Sequence, residues 1–389
     1  MALASPEIEV LAIIVSYGNT DIEASFLNVL KMYHVLETHL EAHPEHKSRF
    51  PNLFGEVKTI LARGCAGPLE GPLASAQYFH GRDGLGDISR LHPEIGHSET
   101  PSRLHISSEH GVDVALELMR AASDRELTYV ALGPLTNFAT MIRQDKELVR
   151  SKIGRVVCMG GALDVPGNTS PVAEFNFFAD PFAVKEILCP SQGEPPFPLD
   201  RFLLLPLDIT TPHELPFPVY KNKVDNAFEG EAAPSVAATK HALVHFTSSF
   251  LERTRDVMLK FGKDAMELHD IVAVWCAACN PPTTKDLAIG WSETIRLFDI
   301  ERTGELTRGM LVVDRREDES AYAPGSNRAE VQAQLDKQVG HGILVMPAQV
   351  EVASEEQTHS SVRSGVRCVT GTPGPDVLLE LLLQRVWGL

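Results

Sequence analysis

The chain has 389 residues, of which 43% are hydrophobic and 22% are charged, and its formal net charge is −17. This acidic balance excludes a nucleic-acid partner, because contacts with phosphate need clustered Lys and Arg. No apolar run reaches the ~18–20 residues of a membrane span, so we expect no membrane partner.

Strand and helix patterns alternate from the first residues onward. Ile8–Val15, apolar except for Glu9, is predicted to be a continuous buried strand, as parallel sheets require. A helix over Asp21–His39 follows, with Thr20 or Asp21 as its cap. The further predicted strands are Val57–Ala62, Leu127–Leu132, Arg155–Met159, Arg201–Leu207, Gly309–Asp314 and Gly342–Val352. The further predicted helices are Glu109–Ala122, Pro134–Arg143, Asp180–Leu188, Ala238–Leu259, His269–Ala278 and Asp376–Trp387.

This alternation predicts an α/β fold with a largely parallel central sheet. We find no internal repeat and no domain boundary, so residues 1–389 are expected to form a single domain. Three segments break the alternation with Pro-rich or polar sequence and are predicted surface insertions: 189–200, 315–337 and 353–367. Ligands of such sheets bind beyond the carboxyl ends of the strands, where the strand order switches.

The cysteines indicate a reducing compartment, for which we predict a cytoplasmic location. Six of them are scattered along the chain, which is unlike a dense disulfide framework. Two form the sequence Cys276-Ala-Ala-Cys279, whose spacing also occurs in redox and zinc sites. Because it lies in an apolar run without a second such pair, we interpret it as two small core side chains.

Polar groups that follow the predicted strand Arg155–Met159 provide the clearest sign of a binding site. Asn168, Glu174 and Asn176 come after a Gly pair, with no Lys or Arg among them. One carboxylate and two amides suit a neutral, hydroxyl-rich ligand such as a sugar, whereas an anionic phosphate would be repelled. We predict that Glu174 and Asn176 alternate on an extended segment and therefore point the same way.

Other residues whose side chains could bind a ligand or transfer a proton also follow strands or begin helices. Asn19 follows a Gly and is either a turn former or a ligand, and His80 lies in a Gly-rich loop. His269 and Asp270 place a base beside an acid at the start of an apolar helix, although Asp270 also suits a helix cap. We interpret Asp180, which precedes a Pro, as a helix cap.

Taken in chain order, short sequence motifs of this protein resemble those of the inosine-uridine nucleoside hydrolase family over residues 1–314. That resemblance implies a doubly wound α/β sheet with helices on both faces, one bound Ca²⁺, and cleavage of the N-glycosidic bond of ribonucleosides to ribose and free base. The matching words are Ser5-Pro-Glu-Ile-Glu-Val-Leu-Ala-Ile, Gly18-Asn19, His80-Gly-Arg-Asp-Gly-Leu-Gly, Ala131-Leu-Gly-Pro-Leu-Thr-Asn, Met159-Gly-Gly, Gly167-Asn168, Ala173-Glu-Phe-Asn, Asp180-Pro and His269-Asp270.

The resemblance also implies roles for single residues. Ca²⁺ would be held by the side chain of Asp270 and the backbone carbonyl of Leu132, since this ion takes oxygen ligands. His269 would be catalytic, protonating a departing purine base. The family often forms dimers or tetramers, so we expect a small-molecule nucleoside substrate and a homodimer or homotetramer. The pocket residues implied for the nucleoside are Asn19, His80, Met159, Asn168, Glu174 and Asn176.

The sequence departs from the family pattern at its N-terminal end. Family members begin with a strand and a D-x-D-x-G-x-D-D loop that supplies two metal ligands, a ribose contact and the base for the attacking water. Here Met1–Ser5 matches the helix after that loop, and no other Asp cluster replaces it. A strand lacking from inside the sheet would leave its neighbours with unpaired backbone groups.

Two explanations of this departure stay open. The sequence is either truncated, with its start upstream, or belongs to a catalytically inactive protein that binds nucleosides or ribose. We favour truncation because the pocket residues further along are all present. In either case we expect Ca²⁺ affinity and hydrolysis to be severely reduced in the chain as given. A phosphorylase would need basic residues near the ribose, and the strand ends offer only Arg63 and Arg82.

Overall fold

The computed structural model describes residues 1–55, 57–96, 101–191, 193–313 and 365–389. The described strands are β1 (Ala12–Val15), β2 (Thr59–Arg63), β3 (Leu104–His110), β4 (Leu127–Ala131), β5 (Ile153–Met159), β6 (Phe202–Leu205), β7 (Glu214–Pro216), β8 (Ala265–Glu267), β9 (Ser292–Arg296), β10 (Asp299–Ile300), β11 (Leu311–Val312) and β12 (Val366–Gly371). The described α-helices are α1 (Ile22–Ala42), α2 (Gln77–His80), α3 (Ile88–Leu91), α4 (Gly111–Ala121), α5 (Thr136–Lys152), α6 (Phe175–Ala179), α7 (Pro181–Leu188), α8 (Leu207–Thr210), α9 (Phe217–Lys223), α10 (Ala242–Lys260), α11 (His269–Cys279) and α12 (Pro375–Leu382).

The largest sheet has five strands in the order β4-β5-β6-β12-β9. Its first four strands run parallel, and β9 joins the edge antiparallel to β12. Every residue of β5 and β6 is buried, which explains why β6 and Val156–Met159 of β5 are continuous apolar runs. The predicted α/β fold with a mostly parallel central sheet is confirmed.

Helices cover both faces of this sheet, because side chains of a strand alternate between its faces. Leu204 of β6 packs into a core with α4, α5 and α7. Its neighbours Leu203 and Leu205 pack into a second core with α10, α11 and α12. The sheet is therefore sandwiched between two helical layers, as the sequence resemblance implied.

A second parallel sheet, in the order β1-β2-β3, lies beside the first. Among the described strands, β1 and β4 each pair with one neighbour, and both are half-buried along most of their length. Their carboxyl ends nevertheless meet, since the hydroxyls of Tyr17 and Thr136 lie 3.2 Å apart. A Cβ placed on Gly133 would lie only 3.2 Å from Oγ of Ser16. Among the described strands, a gap without strand pairing thus separates β1 from β4, as the sequence led us to expect.

Several predicted elements differ from the structure. The strand predicted over Gly309–Asp314 is the two-residue β11, paired with β10. Strand β12 takes Val366 and Arg367 from the predicted 353–367 insertion into the central sheet. The 189–200 segment is anchored by buried Phe197 and Leu199. The insertion 315–337 and the strand Gly342–Val352 lie outside the described residues.

Other local predictions hold. Asp21 caps α1 by accepting a hydrogen bond from the Ala24 backbone N–H at 2.9 Å. All six cysteines are free, and Cys276 is buried in the core while Cys279 is half-buried beside it. Within the part of the chain that the structure describes, no helix is both long and apolar enough to cross a bilayer.

Candidate active site

The turn after β5 is organised by the carboxylate of Glu174, which caps α6. Its Oε1 accepts a hydrogen bond from the Asn176 N–H at 2.8 Å, and its Oε2 accepts from Gly161 at 2.9 Å and Phe177 at 3.1 Å. Our prediction of an extended segment through Glu174 and Asn176 was wrong, because these backbone donors start a helix there. The two side chains are placed by a helix start and not by strand alternation.

This capping leaves Glu174 with little free acceptor capacity. A carboxylate offers about four acceptor positions, and three are filled by backbone N–H groups in a site where the residue is only 2% exposed. Burial raises the pKa of Glu174, while the three backbone donors and the charge of His269 act in the opposite direction. One acceptor position, on Oε1, remains for a ligand hydroxyl.

The amide of Asn176 joins the ends of two strands. Its Nδ2 donates to the carbonyl of Met159, at the end of β5, over 3.2 Å, and more weakly to the carbonyl of Leu132, just after β4, over 3.4 Å. Its Oδ1 accepts no hydrogen bond from the described residues. Asn176 therefore presents an acceptor at the carboxyl ends of the sheet, as expected for a hydroxyl-binding amide.

Phe175 lies close to the two segments that carry Asn168 and Asn19. The Asn168 Oδ1 accepts a hydrogen bond from the Phe175 N–H at 2.9 Å. The Phe175 ring packs with Tyr17 in a small apolar cluster. Tyr17 comes directly before the turn that carries Asn19. Both asparagines are exposed, so each can still reach a ligand.

His269 begins α11, as predicted, and both of its ring nitrogens are engaged. Nδ1 lies 2.8 Å from Oγ1 of Thr210, and Nε2 lies 3.0 Å from Oε2 of Glu267. Burial would raise the pKa of Glu267, but its contacts with His269 and Lys263 prevail and hold that pKa at about 2.

Asp270 is not the helix cap that one interpretation allowed. Leu268 occupies the cap position, and Asp270 forms no hydrogen bond with the described part of the chain. Its side chain reaches solvent, yet protein surrounds the carboxylate closely enough to raise its pKa to about 6, against a smaller opposing effect of His269. A carboxylate in this state is stabilised by a cation.

His80 lies at the end of α2 and faces the same region. Burial, followed by the charges of Arg253 and His269, lowers the pKa of His80 to about 4. The imidazole is therefore neutral near pH 7. Because the charge of His269 is felt by His80, Glu174 and Asp270 alike, these residues belong to one neighbourhood.

The structure thus brings the predicted residues together at the carboxyl ends of β4 and β5 and the start of α11. Sequence reasoning missed Glu267, although an acid two residues before a histidine is visible in the sequence. It also missed Thr210, which had no visible link to His269 because 59 residues separate them. The residues brought together are Asn19, His80, Leu132, Met159, Asn168, Glu174, Asn176, His269 and Asp270.

The donor atoms of this site fit a hard cation such as Ca²⁺, which prefers oxygen ligands. They are the unpaired carboxylate of Asp270, the backbone carbonyl of Leu132 and Oδ1 of Asn176. No cysteine is among the donors, and both nitrogens of His269 are already bound. The chemistry of this set therefore suits Ca²⁺ better than a thiophilic metal.

Comparison with known proteins identifies the class of protein that this fold and site define. The sequence profile "Inosine-uridine preferring nucleoside hydrolase" matches residues 1–340. The chain belongs to that family of enzymes, and the resemblance seen in the sequence is confirmed.

Individual relatives agree with this assignment. The chain is 29% identical over 337 residues to the inosine-uridine preferring nucleoside hydrolase of Leishmania major, covering 86% of this chain and 88% of that protein. It is 30% identical over 315 residues to the pyrimidine-specific ribonucleoside hydrolase RihA of Escherichia coli O1:K1 / APEC, covering 81% and 83%. These relatives support a ribonucleoside hydrolase activity.

Solved structures share the fold. A plant nucleoside hydrolase superimposes with a TM-score of 0.63 at 18% identity, covering 99% of this chain and 92% of that one. The purine-preferring ribonucleoside hydrolase from Gardnerella vaginalis gives 0.61 at 20% identity, covering 100% and 92%. The nucleoside hydrolase architecture is therefore confirmed for the described chain.

Proposed function

We propose that this chain hydrolyses the N-glycosidic bond of ribonucleosides with the help of Ca²⁺, releasing ribose and free base. The observation that carries the proposal is the turn from Glu174 to Asn176, which presents acceptor oxygens at the strand ends. His269 and Asp270 flank this turn on α11. A carboxylate, an amide and a neighbouring acid–base pair are what cleavage of a sugar–base bond needs.

The ribose would bind to acceptor groups that the fold leaves unfilled. We assign its hydroxyls to Oδ1 of Asn176, to the remaining position on Oε1 of Glu174 and to the exposed amide of Asn168. Asn19 and the end of β5 at Met159 complete this side of the pocket. Because Glu174 is fixed by three backbone donors, it is preorganised and loses little freedom on binding.

Arg63, a candidate anion ligand of a phosphorylase, is already engaged. Its guanidinium pairs with Glu23 at 2.8 Å and lies 3.5 Å from the centre of the Phe26 ring. These contacts favour water over phosphate as the attacking group. They leave the acidic pocket suited to a neutral nucleoside.

Asp270 and the Leu132 carbonyl would hold Ca²⁺, with Asn176 left to the ribose. When bound, this ion lowers the pKa of a coordinated water and orients it. His269 would protonate a departing purine base after exchanging one of its ring hydrogen bonds, to Thr210 or to Glu267. His80, neutral near pH 7, would contact the base.

We propose that turnover by this 389-residue chain is severely reduced, because Asp270 is the one carboxylate among these ligands. Ribose release from inosine and uridine, measured with Ca²⁺ and with EDTA, tests this. Turnover on the order of 1–10³ per second would contradict it. Calorimetric binding of inosine without any release of ribose would favour the alternative, a catalytically inactive nucleoside- or ribose-binding protein.

The Glu174→Ala variant tests the ribose site itself. We expect a strong rise in KM for ribosides, or in Kd where turnover is absent. Glu109→Ala, at an exposed position on β3, is the matched control and should leave both values unchanged. An unchanged KM or Kd in Glu174→Ala would remove Glu174 from the ribose site.

We also propose that the protein is a homodimer or homotetramer in a reducing, cytoplasmic compartment. The six free cysteines support the choice of compartment. Sedimentation at several protein concentrations checks the assembly, and a strictly monomeric protein would contradict it.

A further inference from the structure

A second group of metal-ligand side chains includes none of the nucleoside-site residues. His92, Glu94 and His245 each contribute one ligand atom, and the three atoms lie within 4.8 Å of one another. We call this group the His92 cluster. Both histidines are buried, whereas Glu94 is 45% exposed.

Two of the three separations between these atoms are close to those of ligands around one ion. The Glu94 Oε1 lies 3.3 Å from Nδ1 of His92 and 3.0 Å from Nε2 of His245. Tetrahedral ligands with bonds of 2.0–2.1 Å are separated by about 3.3–3.4 Å. Small side-chain shifts would therefore be enough to admit an ion.

The outer nitrogens of both histidines already have partners. Nε2 of His92 lies 3.1 Å from Oε2 of the buried Glu252, and Nδ1 of His245 lies 3.0 Å from Oγ of Ser235. Metal-binding histidines almost always have such a second partner, often a carboxylate, which fixes the tautomer and the ring orientation. With its proton on Nε2, His92 turns the lone pair of Nδ1 toward Glu94.

We propose that His92, Glu94 and His245 form a binding site for a divalent transition-metal ion of the zinc type, separate from the nucleoside site. Two imidazoles and one carboxylate are ligands that suit such ions, whereas Ca²⁺ takes oxygen ligands. The exposed side of Glu94 provides a path of entry and room for water as a further ligand.

The ion would link the segment after α3 to helix α10. His92 and Glu94 belong to the segment after α3, and His245 lies in the first turn of α10. Further along α10, Arg253 pairs with Asp87 at 2.9 Å. The metal would add a further link between α10 and the stretch that begins at His80, beside this ion pair and the contact of His92 with Glu252.

The test is binding of Zn²⁺ to the chelator-treated, dialysed protein, followed by calorimetry and thermal denaturation. We expect Glu94→Gln to lose one Zn²⁺ ion and the rise in Tm that Zn²⁺ gives the unsubstituted protein. Because Glu94 is half exposed, this substitution leaves the core intact. Co²⁺ should give a visible absorption band that also disappears in Glu94→Gln.

The matched control is Glu45→Gln, in a more exposed group formed by His43, Glu45 and His46. We expect it to keep the tightest Zn²⁺ ion and the shift in Tm. The proposal is overturned if Glu94→Gln binds as many Zn²⁺ ions as tightly as the unsubstituted protein, or if Glu45→Gln alone loses the tightest ion. None of these readouts depends on nucleoside hydrolysis.

Discussion

The hydroxyl of Thr136 donates a hydrogen bond of 2.6 Å to the buried carboxylate of Asp180, 44 residues further along the chain. The same carboxylate accepts from the backbone N–H of Leu69 at 2.9 Å and caps α7 through the N–H of Ala183 at 3.0 Å. One side chain therefore ties the starts of α5 and α7 to the loop after β2. These three hydrogen bonds of Asp180 hold in place the carboxyl ends of the strands on which the site is built.

Thr136→Val tests how much the hydrogen bond from Thr136 to Asp180 contributes to stability. The substitution keeps the shape of the side chain but removes one donor from a buried carboxylate, so we expect the free energy of unfolding to fall by about 1–3 kcal/mol. Urea denaturation measures the change. Thr303→Val, at an exposed position, should change stability by no more than about 0.5 kcal/mol. Equal losses in the two variants would contradict a specific role for Thr136.

Glu174→Gln separates the structural role of this residue from ribose binding. An amide offers one acceptor oxygen where the carboxylate offers two, so at least one of the three backbone donors loses its partner. We expect a loss of about 1–3 kcal/mol in the absence of any ligand, measured by urea denaturation. The exposed Glu109→Gln should be neutral, and a Glu174→Gln protein of unchanged stability would show that the cap is dispensable.

The loss of stability at acid pH should depend on His39. Burial, with Arg49 and the neighbouring histidines His43, His46 and His241, lowers the pKa of His39 from 6.5 to about 4. Between these values the unfolded chain takes up a proton that the folded protein refuses. The stability linked to His39 is therefore complete above about pH 6.5 and is lost as the pH falls toward 4.

His39→Gln should flatten that dependence by removing the titrating group. We expect the loss of unfolding free energy between about pH 7 and pH 4.5 to shrink by on the order of 2–3 kcal/mol. Urea denaturation at the two pH values gives the comparison. His105→Gln, at an exposed position on β3, should keep the acid sensitivity of the unsubstituted protein, and the same slope in His39→Gln would refute the assignment.

Hydrogen exchange should distinguish β5 from the strands beside the gap. Strand β5 pairs on both sides and is buried throughout. Strands β1 and β4 have one pairing partner each among the described strands and are half-buried. We expect amides on their open sides to exchange much faster than those of β5. Equal protection in all three strands would show that the gap is closed in solution.

The fold was predictable where burial alone sets the pattern. Strand β6 and Val156–Met159 of β5 are apolar because helices cover both faces of the sheet, and the sequence shows this residue by residue. Strand β9 was missed because its exposed edge position leaves the polar sequence Ser292–Arg296 without a strand-like pattern. Strand β12 was missed because it follows a long polar stretch that gives no sign of a core strand.

The site was predictable in its residue types but not in its geometry. The apolar run after His269 correctly indicated a helix start there. For Glu174, local capping of backbone N–H groups overrode the alternation that the sequence suggested. The pairing of His92 with Glu252 joins residues 160 positions apart, and no single-sequence pattern reports such a contact.

The open sides of β1 and β4 also bear on how the protein behaves at high concentration. Rows of unsatisfied N–H and C=O groups are templates on which other extended chains can dock, and natural proteins usually blunt or hide them. Among the described strands, β1 and β4 contain no charged residue, and the register of β4 is irregular only between Leu127 and Thr128. Concentrated samples should therefore self-associate by strand addition, and a short peptide of matching β-character should suppress that association.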